Sequence, residues 1–339
     1  MRLNRTLVFV SVAVLVTLTI IVVQHATNPS IGHLNQPRQI EIPIIAPTPA
    51  RPSALATSAH DRPNKAAGTP AANWDEEFRT SKDYFSLIAK AAKAALNGDG
   101  RAAYYVSMKE LECLFLAQQY GTAANPEETF NQAMAARTTQ FPPEMLERKR
   151  EQFRACAGFY KAGDAKGNDV FANLPPQEGG YRSNRYWMAL AYQYGDPLAQ
   201  IDHAGASIGG PLTPNHAAMP SAQADINQAI GSGDPEAIYR AGILISNGLY
   251  VETFQGYALM LAACDLGYDC TAKNPQGYFP FGDCAAMGMC QAGSTVSDWI
   301  AENIGAEGYA KAYARAQQIK DALTQGDTRA LQQFAKLKD

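Results

Sequence analysis

Gly233-Asp234-Pro235-Glu236-Ala237 decides the fold, because these five residues both end one helix and begin the next. Glycine accepts the left-handed conformation that closes a helix. Aspartate caps the helix that follows, and proline suits its first position, where no backbone donor is needed. The small alanine in the first turn lets a neighbouring helix approach closely. The same motif recurs as Gly98-Asp99-Gly100-Arg101-Ala102, Gly195-Asp196-Pro197-Leu198-Ala199 and Gly326-Asp327-Thr328-Arg329-Ala330. Each copy predicts a tight helical hairpin. Gly195 and Gly233 stand 38 residues apart, the length of a two-helix unit, and a period of that size implies a solenoid.

The residues between these corners carry helical spacing. Tyr309, Tyr313, Ala316, Ile319 and Leu323 fall on one face of a helix, and Leu146, Phe153, Ala157 and Tyr160 make a similar stripe. Asn125-Pro126-Glu127-Glu128 offers a cap, a first-turn proline and an acid three residues on. No strand is legible. The expected fold is all-α: a solenoid of antiparallel helical hairpins with a disulfide-pinned loop, preceded by a transmembrane helix and a disordered linker.

The run Gly233-Asp234-Pro235-Glu236-Ala237-Ile238-Tyr239-Arg240-Ala241-Gly242-Ile243-Leu244-Ile245-Ser246-Asn247-Gly248 resembles the first helix of a Sel-one-like repeat, a relative of the tetratricopeptide repeat. Tyr257-Ala258, Leu261-Ala262-Ala263 and Gly267 resemble its second helix. The resemblance is clearest over 233–267 and partial over 184–232. The usual Gly-x-Gly turn is reduced to Gly248-Leu249-Tyr250, and Pro211, Pro214 and Pro220 interrupt the second unit. The resemblance implies an α-solenoid whose concave face binds protein or peptide.

The N-terminal part reads differently. Residues 1–6 hold Arg2 and Arg5 and form a basic tip on the cytoplasmic side. Residues 7–23 carry no charge and span roughly 25 Å as a helix, at the short end of what crosses a bilayer. They are read as a signal-anchor in the inner membrane, with the rest of the chain in the periplasm. A cleaved secretory signal, leaving a soluble periplasmic protein, is the competing reading. Residues 24–73 contain eight of the 20 prolines and read as a linker. Its one apolar patch is Ile40-Glu41-Ile42-Pro43-Ile44-Ile45. Residues 74–339 form the helical repeat domain, with a cysteine-containing loop at 268–292. Residues 1–73 carry a net charge of +4 within a chain total of −3, which leaves −7 on that domain. An acidic body argues against a nucleic-acid partner.

All six cysteines, Cys113, Cys156, Cys264, Cys270, Cys284 and Cys290, lie in the exported part. An even number there favours structural disulfides. Six cysteines permit 15 pairings. The four from Cys264 to Cys290 cluster, which leaves Cys113 and Cys156 as natural partners, closing a loop worth roughly 3–4 kcal/mol. Zinc is the alternative for the cluster, but five residues between paired ligands is looser than zinc knuckles prefer. Asn274 to Gly282, between the two pairs, reads as a turn-rich loop with three aromatics.

Catalytic chemistry finds little support. The domain holds only two histidines, His203 and His216, and no HExxH, P-loop or paired CxxC. Gly205-Ala206-Ser207-Ile208-Gly209 fits the Gly-x-Ser-x-Gly elbow of serine hydrolases, which requires a strand before the serine and a helix after it. Here the preceding residues read as a capped helix, so Ser207 and His203 are expected to share a helical face. The chain is therefore read as a non-enzymatic envelope adaptor for a protein or peptide, without cofactor, metal or nucleic acid. An envelope serine hydrolase using Ser207 and a structural or inhibitory domain are the alternatives.

Overall fold

Twelve α-helices follow one another through the described residues: α1 (Trp74–Thr80), α2 (Tyr84–Leu96), α3 (Gly100–Tyr120), α4 (Pro126–Ala135), α5 (Pro143–Ala155), α6 (Asn184–Gln193), α7 (Pro197–Ile208), α8 (Met219–Gly231), α9 (Pro235–Ser246), α10 (Thr253–Asp265), α11 (Val296–Gln325) and α12 (Thr328–Phe334). The computed structural model describes residues 72–121, 123–135, 141, 143–160, 175, 177, 182–209, 215–246, 253–271, 274 and 293–334. The segments 1–6 and 7–23, nearly all of 24–73 and most of the 268–292 loop lie outside these residues. No strand occurs among the described residues, only an isolated antiparallel bridge from Thr271 to Thr295. No helix among them is long and apolar enough to cross a membrane.

All four glycine–aspartate corners join helices. Gly98, Gly195, Gly233 and Gly326 each have positive φ, from 67° to 97°, the conformation that glycine tolerates best. Each aspartate then accepts a hydrogen bond from the alanine amide three residues on: Asp99 from Ala102, Asp196 from Ala199, Asp234 from Ala237 and Asp327 from Ala330, each at 3.0 Å. Asn125 caps α4 through the Glu128 amide at 3.2 Å, and the Glu128 carboxylate returns a contact to Asn125 Nδ2 at 3.0 Å.

The pairing of helices differs in one respect from the hairpin expectation. Around Gly98-Asp99 the flanking helices α2 and α3 do pack together extensively. At Gly195 and Gly233, however, the flanking helices touch less than α7 does with α8 and α9 with α10, pairs joined through the longer connections. The corner there separates two-helix units instead of closing them. Helix α3 takes α6 as its main partner across the α4–α5 insertion.

Helices α9 and α10 approach each other closely in the core. A Cβ on Gly242 would stand 2.7 Å from the Gly256 carbonyl oxygen, and one on Gly256 would stand 2.6 Å from the Gly242 carbonyl oxygen. Backbone meets backbone here, so α10 is enclosed on several sides, with Ala258, Leu259, Met260, Leu261, Ala262 and Ala263 all buried. On α11 the buried face is Gly308, Ala312, Ala316, Ile319 and Ala322. Tyr313, placed in the core stripe from its spacing, is 41% exposed. Small residues on that face let α10 and α11 pack closely. The α5 stripe also ends sooner than its spacing suggests: the helix stops at Ala155, a 3-10 turn follows at Ala157–Phe159, and Ala157 is exposed.

Cys113 on α3 and Cys156 just beyond α5 form a disulfide with Cα atoms 5.2 Å apart, tying the α4–α5 insertion to α3. Cys264 and Cys270 form a second one across the turn that ends α10.

Replacing Gly242 with valine should lower stability by about 3 kcal/mol, because the new atoms have no space between the two backbones. Gly231→Ala, whose Cβ meets nothing within 4 Å, should be neutral or raise stability by up to ~1 kcal/mol. Urea unfolding of both variants checks this; equal stability of Gly242→Val and wild type would refute the close crossing.

Candidate functional site

The corner aspartates do more than cap. Each carboxylate has two oxygens, and three of the four corners use them separately. Asp99 caps α3 with Oδ1 and accepts the Trp74 indole N–H on Oδ2 at 2.8 Å. Asp196 caps α7 with Oδ1 and lies with Oδ2 3.3 Å from Arg101 Nε. Asp234 caps α9 with Oδ1 and pairs through Oδ2 with Arg101 Nη2. One guanidinium in the first turn of α3 therefore holds the starts of α7 and α9. Asp75 of α1 is 3.5 Å from the same Nε.

Asp196, Arg101 and Asp234 are largely shielded from water, whereas Asp75 is exposed. The side chain of Asp196 is 2% exposed and that of Arg101 19%. Burial pushes the Asp196 carboxyl up, against the pull of Arg101. On Arg101 burial opposes the charge, but Asp196 and Asp75 outweigh it, so the guanidinium stays ionised. Desolvation and attraction largely offset each other in such a pair, and its main effect is to fix which groups meet. One turn further along, Arg240 of α9 pairs with Glu236 at 2.8 Å and with the Tyr104 hydroxyl, and lies 3.6 Å from Asp202 of α7. Thus α3, α7 and α9 are joined by two successive arginine-centred contacts.

Beside them a cavity of about 390 Å³ opens between α1, the start of α2, α3, the start of α9 and the turn after α10. Its apolar wall is Phe78, Tyr84, Tyr105 and Tyr268. Phe78 and Tyr105 stack at 4.8 Å with planes 9° apart. Lys109, 4% exposed, places its ammonium 5.2 Å from the Tyr84 ring centroid and 2.7 Å from Glu112 Oε2. Burial opposes that charge, and Glu112 more than compensates. Asp75, Glu76, Arg79 and Asp269 carry the cavity out to solvent.

The residues singled out in the sequence fall into separate places. Asp234 and Pro235 line this cavity, whereas Gly195, Asp196 and Pro197 lie at the α6–α7 corner. Cys264 and Cys270 are bonded to each other, which removes both from a four-cysteine metal site. Cys284, Cys290 and residues 275–282 lie outside the described residues. Ser207 sits in the last turn of α7, so the residues before it form a helix and not the strand that a nucleophile elbow requires. His203, one turn earlier, bonds instead to Asp225 of α8, Nδ1 to Oδ2 at 2.7 Å. Tyr192 of α6 donates to the other oxygen of Asp225 at 3.0 Å and packs its ring 4.1 Å from the imidazole. No hydrogen bond joins His203 to Ser207 among the described residues. Sequence reasoning missed Asp225 and Tyr192, and saw Arg101 only as part of a corner; the contacts these residues make span 22, 33 and 133 residues along the chain, beyond any local pattern.

The fold defines an all-α protein with two disulfides among the described residues. No family model, curated protein or solved structure matches the chain.

One buried carboxyl makes a test of the interior. Glu110 of α3 is 0% exposed, receives Gln177 Nε2 at 3.3 Å on one oxygen, and has no partner on the other. Burial pushes it up to about 7, with Gln177 pulling the other way. A raised folded value means that this group favours folding most below pH 4.5 and loses that contribution as pH rises through 7. Stability from this residue should fall by roughly 2–3 kcal/mol between pH 4.5 and 8. Glu110→Gln should therefore melt higher than wild type at pH 8 and close to it at pH 5. Identical differences at both pH values in thermal melts would show that the carboxyl is hydrated.

Proposed function

We propose that the chain is a membrane-anchored cell-envelope adaptor whose helical pairs stack as a solenoid and bind a protein or peptide. The uncharged stretch 7–23 behind Arg2 and Arg5, and the cysteines confined to the part after it, support an exported domain held at the inner membrane. The proline-rich stretch 24–73 supplies reach between membrane and domain. The resemblance of residues 233–267 to a Sel-one-like repeat supports stacking.

The observation that carries the reading is the cavity beside Arg101. Its walls come from α1, the start of α2, α3 and α9 and from the turn after α10, so it exists only because distant units are held together there. A volume of about 390 Å³ lies within the range of ligand sites. The hydrolase alternative gains no support from Ser207, which follows a helix instead of a strand and has no hydrogen-bonded base among the described residues. The reading assigns no catalytic residue, cofactor or metal.

A photo-reactive amino acid placed at Arg79, on the cavity rim, should trap one defined envelope partner in intact cells. The same amino acid at Glu307, 85% exposed on α11, should trap none. Absence of a rim-specific adduct, together with turnover of a cell-wall ester that Ser207→Ala abolishes, would replace this reading with the hydrolase.

A further inference from the structure

Among the charged groups lining the cavity beside Arg101, five are carboxylates (Asp75, Glu76, Asp234, Glu236 and Asp269) and two are cations, Arg79 and Lys109. The cations in and behind the wall are already committed. Lys109 is bonded to Glu112, Arg79 to Glu76, Arg101 to Asp196 and Asp234, and Arg240 to Glu236. At the rim the balance is different. Asp75 is 55% exposed and pairs at 3.5 Å with Arg101, a cation that it shares with Asp196 and Asp234. Asp269 is exposed; its Oδ1 accepts the amide and hydroxyl of Thr271, its carbonyl oxygen accepts Asn274 Nδ2, and no ion pair reaches its carboxylate among the described residues. The positive ends of α1 and α9 reach the same rim, but their first-turn acids, Asp75, Glu76 and Glu236, already offset them.

The wall also displays how a cation is accommodated here. The Lys109 ammonium rests over the Tyr84 ring and donates to the Glu112 carboxylate. Beyond it, Phe78 and Tyr105, 1% and 4% exposed, and the partly exposed Tyr268 line the cavity. Aromatic faces flanked by carboxylates attract ammonium and guanidinium groups and disfavour anions.

We propose that the segment bound in this cavity is cationic: an extended stretch of a partner protein that presents lysine or arginine to Asp75 and Asp269 while its side-chain stems lie against Tyr268. This rests on the adaptor reading and adds the chemistry of the partner. Attraction of this kind acts at a rim open to water, so binding weakens as salt rises.

Calorimetric titration of the full-length chain in nonionic detergent with a capped hexalysine peptide tests the proposal. Hexalysine should bind, Asp75→Asn and Asp269→Asn should each weaken it about fivefold or more, and Glu307→Gln, an equal change of net charge on α11, should leave it unchanged. Thermal melts of the three variants establish that each is folded. Equal binding of hexaglutamate, equal weakening by Glu307→Gln, or no hexalysine binding would each overturn the proposal. Displacement of the peptide by an equal concentration of spermidine would also overturn it, reassigning the cavity to free polyamines. Failure of hexalysine while the Arg79 photo-adduct still forms would sink the cationic partner alone; loss of the adduct would sink the adaptor reading itself.

Discussion

A carboxylate has two oxygens, and the architecture depends on their being used for different purposes. At the corners before α3, α7 and α9, one oxygen caps the helix and the other binds a group from elsewhere in the fold: the Trp74 indole for Asp99, and Arg101 for Asp196 and Asp234. Serine or threonine would cap as well but would have no second charged oxygen to offer. The corner therefore sets local direction and long-range position with a single side chain. The glycine before it makes the turn possible, and the aspartate decides what the turn faces.

Arg101 is placed to use this because α3 itself starts at such a corner. Its side chain leaves the first turn of α3 just where the first turns of α7 and α9 arrive. Partial burial gives the contact geometric authority without requiring a large net stabilisation. The apolar work is done elsewhere, at the Gly242–Gly256 crossing and along the enclosed helix α10. Polar contacts align the helix starts, small residues bring the helix middles together, and the cavity is what remains between the aligned ends.

Much of this was legible in the sequence, and the divide follows the range of the interactions. The Gly-Asp corners, the Asn125 cap and the absence of strand patterns depend on residues within a few positions of each other. Cys113 and Cys156 could be paired because the other four cysteines cluster. Ala316 and Ile319 of the expected stripe are buried, but Tyr313 is not, because Gly308 and Ala312 continue the buried face towards the N-terminal side; Gly305, with φ of 71°, also breaks the helix upstream. The corners at Gly195 and Gly233 look locally like closing hairpins, since nothing nearby in the chain reveals that α7 prefers α8 and α9 prefers α10. Arg101 and Asp234, 133 residues apart, were each visible within a corner motif, but their meeting was not. The cavity followed from that meeting and was equally hidden.

The most direct measurement is a double-mutant cycle between Arg101→Met and Asp234→Asn, read by equilibrium unfolding in urea. Asparagine keeps an oxygen for the cap, so the cycle isolates the second use of the carboxylate. The account expects a coupling of about 1–3 kcal/mol, with Asp234→Asn costing much less once Arg101 is gone. Strict additivity, with Asp234→Asn equally costly in both backgrounds, would mean that the corner is only a cap and that Arg101 does not hold these helices together.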